Sequence, residues 1–155
     1  MISPELLRRY PFFGLLTEAQ LKAIAMIAEE TSFEGKTIIF KENDRADRMF
    51  LLVQGSVDIF FTVNTEGVLD YSKEFLVGEI NPGDVFGISA LLEPNKYATT
   101  AKADQGIRVI SIDTVAFRSL LEQDLKMSYV IMHQVAKEYA ERLHLTRIQM
   151  AAARA

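Results

Sequence analysis

The sequence predicts a mainly β domain of the sandwich or barrel type, with helices at both ends. The middle of the chain is a series of short segments rich in β-branched and aromatic residues, such as TIIF at 37–40 and VDIFFTV at 57–63, with glycines between them. Many short strands at regular spacing are typical of sandwiches and barrels. Before about residue 31 and after residue 112, apolar residues instead recur at the helical period.

The first 30 residues predict two helices. Ser3 and Pro4 are typical of a helix start, because a hydroxyl can cap the first turn and the missing N–H of proline is harmless there. Pro11 ends this short helix, and Thr17 with Gln20 forms a capping-box pattern for the next one. Its apolar residues recur at helical spacing through about residue 30, at Leu21, Ile24, Ala25 and Ala28.

Six segments of the middle region are predicted strands. They span 37–40, 48–53, 57–63, 74–80, 97–103 and 107–112. Gly35 and Gly55 separate some of them, and NTEG at 64–67 is a predicted hairpin turn. Gly78 and Gly83 are likewise expected where strands turn, in backbone conformations that are costly for other residues.

Helices return after residue 112. Asp113 is the expected cap of a helix over 114–123, and a longer helix is expected over about 126–150. No domain-sized linker or repeat interrupts the chain, so we expect one domain over 1–155: N-terminal helices (1–30), a β roll (31–112) and C-terminal helices (113–155).

Composition excludes several classes of function. The chain has no cysteine, which excludes disulfides, thiolate metal sites and a cysteine nucleophile. The net charge of −4 argues against a broad nucleic-acid surface. No apolar run approaches the ~20 residues of a membrane span, and the N-terminus does not resemble a signal peptide. Together with the missing cysteines, these two features lead us to expect a cytoplasmic protein. The sequence holds no catalytic constellation, metal cluster or P-loop pattern, so we expect that the protein is not an enzyme.

Four motifs carry a family resemblance. They are FEGKTIIFKENDRADRMFLLVQGSVDIF (33–60), GEINPGDVFG (78–87), ALL (90–92) and YAERL (139–143). The chain resembles the cyclic-nucleotide-binding domain family, which includes the sensor domain of catabolite activator protein and of cyclic-nucleotide-dependent kinases. The resemblance implies an eight-stranded β jelly roll with flanking helices and a ligand inside the roll. Asn43 stands where the family usually has glycine, and asparagine tolerates left-handed backbone geometry.

The segment GDVFGISALLEPNKYATTAKA (83–103) holds the predicted ligand site. Gly87 ends a strand and opens a short helical turn, whose first N–H groups attract a phosphate. Ser89 and Lys96 are expected to add a hydroxyl and a charge, and the resemblance aligns Thr146 with a threonine that contacts adenine. The expected ligand-binding residues are Gly87, Ile88, Ser89, Ala90, Lys96, Tyr97, Ala98, Thr99 and Thr146.

Two residues depart from the pattern that the resemblance implies. Ile88 stands where the family has a glutamate that accepts a hydrogen bond from the ribose, and Lys96 aligns with a phosphate-binding arginine. The loop between Gly87 and Lys96 is also shorter than usual. A bacterial variant of the family, with tryptophan at the Ile88 position, is a similar case. If the loop is otherwise normal, Ile88→Glu together with Lys96→Arg should strengthen binding of a cyclic nucleotide.

Three interpretations of this segment stay open. The site binds cAMP or cGMP, or it binds another anionic or partly apolar small molecule. In the third, nothing binds: Lys96 is a solvated lysine, Thr99 and Thr100 are ordinary strand residues, and Ile88 fills core space.

The last predicted helix carries an apolar seam. Its residues alternate spacings of four and three, the period of a two-stranded coiled coil: Met132, Ala136, Tyr139, Leu143, Thr146 and Met150. We therefore expect a homodimer, although the seam can also pack on its own roll. Two functions follow, a ligand-sensing regulatory module for signal transduction or a ligand-free dimerisation module. Direct DNA binding is not expected of these residues unless the chain is part of a longer transcription regulator, because no helix-turn-helix follows the seam.

Overall fold

Two four-stranded antiparallel sheets enclose the centre of the protein in this computed structural model, which describes residues 2–65 and 71–155. The strands are β1 (Ala28–Phe33), β2 (Thr37–Phe40), β3 (Arg48–Gln54), β4 (Val57–Thr65), β5 (Tyr71–Ile80), β6 (Val85–Phe86), β7 (Thr100–Ala103) and β8 (Ile107–Asp113). The first sheet has the order β1-β8-β3-β6 and the second the order β2-β7-β4-β5. This arrangement confirms the predicted eight-stranded roll.

Helices lie at both ends of the roll. Helix α1 (Pro4–Arg8), a 3-10 turn (Pro11–Phe13) and α2 (Glu18–Ala25) precede it, while α3 (Thr114–Gln123) and α4 (Leu125–Arg154) follow it. A second 3-10 turn (Ile88–Leu91) lies between β6 and β7. Among the described residues, no helix combines the length and apolarity needed to cross a membrane.

Two predictions at the N-terminus were wrong. Helix α2 ends at Ala25 instead of continuing to about residue 30, and β1 begins at Ala28. Ala28 fits the helical spacing, but it is buried as part of a strand paired with β8. The Ser3 hydroxyl makes no capping hydrogen bond. The capping box of Thr17 and Gln20 is present as predicted.

The β region follows the predicted pattern, although β4 and β5 are longer than predicted and β7 begins at Thr100 instead of residue 97. Strands β4 and β5 pair from Val57↔Ile80 to Thr65↔Tyr71, with a shift of register between Ile59 and Phe60. The predicted NTEG turn includes residues 66 and 67, which lie outside the described residues. Gly78 lies within β5 and not at a turn, so its prediction was wrong. Gly55, by contrast, has φ +104°, and Asn43 has the expected left-handed backbone with φ 71°.

Two apolar clusters divide the interior between them. The interior cluster lies between the sheets and contains Phe40, Phe50 and Phe86. The helix-side cluster joins the other face of the first sheet to the helices through residues such as Phe13, Phe117 and Ile131. The molecule is therefore layered, and the central part of the first sheet, formed by β3, β6 and β8, is buried on both faces.

Helix α4 is only partly covered by the rest of the chain. Asp113 caps α3 as predicted, and Asp124 caps α4 by accepting a hydrogen bond from the Met127 N–H at 3.0 Å. Met127, Ile131 and Val135 of α4 are buried. From residue 143 onward every residue of the helix is exposed, so the last three turns project beyond the roll.

Candidate functional site

A left-handed glycine opens the segment that the sequence marks as the ligand site, residues 87–99, which we call the cassette. Gly87 has φ 72° and ψ 23° and precedes the second 3-10 turn. A Cβ atom on Gly87 would lie 3.3 Å from the Phe40 ring and 3.4 Å from both the Arg48 carbonyl oxygen and the Tyr97 ring. Backbone conformation and close packing therefore both favour glycine here.

The side chain of Ile88 belongs to the helix-side cluster. It is 1% exposed and packs in the same cluster as Leu91. Ala90, between them in the turn, is instead part of the interior cluster. The turn thus divides its side chains between two cores. Ile88 does fill core space, as one interpretation of the sequence has it, but that space lies on the helix side.

Ser89, in the second 3-10 turn, contacts Ala98 near the end of the cassette. The Ser89 hydroxyl oxygen accepts a hydrogen bond from the Ala98 N–H at 3.3 Å. Ser89 and Thr99 are half-buried and Ala98 is exposed. The Ala98 N–H is used in this hydrogen bond, so the donor that the pair offers an anion is the Ser89 hydroxyl, whose proton can turn outward.

Lys96 and Tyr97 point to opposite sides of the chain. Lys96 is exposed, and its backbone forms an isolated antiparallel bridge with Arg45. The Tyr97 ring is stacked on Phe40 with centroids 3.9 Å apart, and its hydroxyl donates to the Arg48 carbonyl at 2.7 Å. Burial raises the pKa of Tyr97. The tyrosine side chain therefore packs in the interior cluster.

Asn95 and Arg118 are two residues that the sequence analysis missed. The Asn95 side-chain amide donates to the carbonyl oxygens of Ala90 and Leu92, each at 3.0 Å. Arg118 of α3 also donates to the Ala90 carbonyl, at 2.6 Å. An asparagine after proline, at φ 59°, is a recognisable turn signal. No local signal marks Arg118, because it lies 28 positions after Ala90 in the chain.

Most of the predicted seam is exposed, including Thr146. The Thr146 hydroxyl donates to the Arg142 carbonyl of its own helix at 2.9 Å. Met132 packs partly against the helix-side cluster. The other seam residues, Ala136, Tyr139, Leu143, Thr146 and Met150, are exposed. The assignments of these residues to ligand binding and dimerisation stay predictions.

A concave region lies on the outer face of the second sheet. Ala101 and Ala103 of β7 are buried in the interior cluster, so Lys102 between them faces outward. There it helps to line a basin of about 310 Å³, together with Glu42, Thr62 and others. None of the predicted ligand residues lines this basin. Within the described ranges, no group of histidine and carboxylate side chains is arranged to hold a metal ion.

Comparison with known proteins assigns the family. A profile described as cyclic nucleotide-binding domain matches residues 30–124, more than half of the chain. The protein therefore belongs to the cyclic nucleotide-binding domain family.

Two sequence relatives show the range of proteins that carry this domain. One is a cAMP-dependent protein kinase regulatory subunit from Colletotrichum orbiculare, 31% identical over 76% of this chain and 28% of its own length. Another is the cAMP-activated global transcriptional regulator Vfr from Pseudomonas aeruginosa, 28% identical over 67% of this chain and 48% of its own length. The chain thus spans less than half the length of either relative.

Two solved structures are similar over nearly the whole chain. A Geobacter metallireducens protein described as a cyclic nucleotide-binding protein has 40% identity and a TM-score of 0.78, covering 93% of this chain and 100% of its own. The Thermus thermophilus catabolite activator protein has 20% identity and a TM-score of 0.67, covering 92% and 62%. The second likeness shows the shared fold.

Proposed function

We propose that this protein is a small-molecule-sensing regulatory module whose cassette binds an anionic ligand other than cAMP or cGMP. Family membership supports the sensing role, and relatives such as Vfr are described as cAMP-activated. The observation that carries the altered specificity is the position of Ile88, whose side chain is buried among the helices. No carboxylate is then available next to Gly87 to accept a ribose hydroxyl.

The expected loss of affinity follows from that missing acceptor. A ligand hydroxyl left without a partner in a buried site costs about 1–3 kcal/mol. This corresponds to a roughly ten- to hundred-fold weaker dissociation constant for a cyclic nucleotide. Lys96 adds to the loss, because a lysine does not form the planar two-pronged contact of an arginine with phosphate. The Ser89 hydroxyl, whose proton is not used in its contact with Ala98, favours a phosphate, sulfate or carboxylate group.

Calorimetric titration with cAMP and with cGMP tests the altered specificity. We expect both nucleotides to bind more weakly than a low-micromolar dissociation constant. A low-micromolar dissociation constant for either nucleotide would overturn the proposal. Mass spectrometry of the denatured protein, purified from its native host, then identifies any small molecule that copurifies. A ligand with a phosphate or carboxylate group is the expected result.

The exposed seam of α4 supports a second candidate function, a dimerisation module that binds no ligand. Tyr139, Leu143 and Met150 are 36%, 50% and 50% exposed, which is unusual for such large apolar side chains on one helical face. In either function we propose that α4 pairs with its counterpart in a homodimer, that the chain acts without catalysis, and that it works in the cytoplasm. A sensor domain of a transcription regulator is a further alternative, supported by the likeness to Vfr.

A further inference from the structure

Two arginines reach the cassette region from the helices after the roll. Arg118 of α3 donates from Nη1 to the carbonyl oxygen of Ala90 at 2.6 Å, and Arg118 is half-buried. A hydrogen bond from a guanidinium is charge-assisted and about twice as strong as a neutral one. This contact therefore fixes the end of the second 3-10 turn against α3.

The Ala90 carbonyl has a second donor from within the cassette. The Asn95 amide lies 3.0 Å from the same oxygen. A carbonyl oxygen has two lone pairs, so these two donors use both. One donor belongs to the loop that closes the cassette and the other to α3, and the turn is therefore held between them.

Arg142 makes the corresponding contact from α4. Its Nη2 atom donates at 3.0 Å to the carbonyl of Val85, two residues before Gly87. Glu138, one turn earlier in the helix, lies 3.8 Å from the same nitrogen and partly neutralises it. The two arginines thus hold backbone carbonyls on either side of the Gly87–Ser89 corner, one for each helix.

We propose that Arg118 and Arg142 are positioning residues that transmit the conformation of the cassette to α3 and α4. Apolar contacts of Ile88 and Leu91 with the helix-side cluster hold the parts together but are not directional. The arginine hydrogen bonds are directional, so a shift of the turn changes the favourable position of each helix. This regulation rests on the proposed sensing function, because it describes how an occupied cassette would act.

Native-state hydrogen exchange of the ligand-free protein tests the connection. In Arg118→Met, we expect amide exchange to be at least about tenfold faster than in the wild-type protein at two places. One is the cassette amides of Ala90 and Leu92; the other is the Asp124 amide, which bonds to Leu120 at the end of α3. Asn95→Ala should loosen the cassette and, through Arg118, α3 as well. Adding it to Arg118→Met should leave α3 exchange unchanged.

Three further variants complete the experiment. Arg118→Lys keeps the charge and one donor, so we expect exchange between wild type and Arg118→Met, and it replaces that variant if the methionine protein does not fold. Arg45→Met, which removes an exposed arginine paired with Asp47, is the matched control and should change neither region. Arg142→Met should loosen α4 and the Val85 neighbourhood together.

The connection is overturned if Arg118→Met speeds exchange in α3 alone, or if Asn95→Ala loosens α3 equally with and without Arg118. Both results are obtained without ligand, so they are independent of whether the sensing function is correct. That function fails separately, if calorimetry of the wild-type protein with cAMP, sulfate and phosphate detects no saturable binding.

Discussion

Replacing Ile88 by glutamate separates the sequence-based view of the cassette from the structural one. The side chain is 1% exposed and lies in the helix-side cluster. Removing a buried isoleucine costs about 2–5 kcal/mol, and a carboxylate left there without a partner adds a penalty of at least about 2 kcal/mol. We expect Ile88→Glu to lose roughly 4 kcal/mol or more of folding free energy, a large part of the 5–15 kcal/mol typical of a domain.

Equilibrium unfolding in urea at pH 7 measures this loss. Ile38→Glu is the matched control, because Ile38 is 46% exposed on β2 and should lose less than about 1 kcal/mol. Ile88→Val should cost about 1 kcal/mol. Burial raises the pKa of the introduced carboxyl above its unfolded value of about 4.3. The charge penalty is therefore absent below about pH 4.3, grows as the pH rises from there to the folded pKa, and is constant above it.

The result that refutes this reasoning is an Ile88→Glu protein as stable as Ile38→Glu that binds cAMP more tightly than wild type. The side chain would then face the ligand, as the family glutamate does. The sequence led us to expect that outcome when Ile88→Glu is combined with Lys96→Arg. The structure predicts the opposite, since the first substitution places a charge in the helix-side cluster before any ligand arrives.

Three other predictions concern the seam, the anion site and a helix cap. Leu143→Glu should convert the dimer to a monomer in sedimentation, because it buries a charge against its own copy. Leu145 is equally exposed but lies almost opposite on α4, so Leu145→Glu should leave the dimer intact. The seam is excluded as the interface if both variants stay dimeric or if the wild-type protein is already a monomer. Sulfate at low-millimolar concentration should raise the melting temperature saturably, and less so in Lys96→Ala; identical responses without saturation exclude an anion site. Hydrogen bonding, chiefly from the Met127 N–H, lowers the pKa of Asp124 below its ordinary 3.8. Ionised Asp124 therefore stabilises the fold at neutral pH, and Asp124→Asn should lose less stability than wild type as the pH falls below 3.8; equal losses contradict this.

Local sequence signals predicted most of the fold because they act over a few residues. β-branched and aromatic runs located the long strands, and the Thr17 capping box marked the start of α2. Strand β6 has only two residues, too few for any period to be visible. The boundary between α2 and β1 was predicted wrongly because Ala28 suits both a helix face and the buried side of a strand.

The candidate site was predicted in its backbone and not in its side chains. Gly87 could be placed because a left-handed turn after a strand requires glycine. Which way Ile88 points is decided by the packing of a 3-10 turn between two cores, and that depends on residues such as Phe117, far along the chain. The contact of Arg118 with Ala90 is equally non-local, and an exposed arginine on α3 would give the same sequence pattern.

The position of Ile88 has consequences for both affinity and signalling. Interiors are close-packed, so the second 3-10 turn cannot move toward a ligand without repacking the cluster that holds Ile88 and Leu91. That cluster also contains Met127 and Ile131 of α4. In our proposal, Ile88 stands where a carboxylate would accept the ribose hydroxyl, and it also connects the cassette to α4, the helix that carries the seam. A ligand that gains less from ribose contacts can still reposition α4, provided that its anionic group shifts Ser89 and the turn around it.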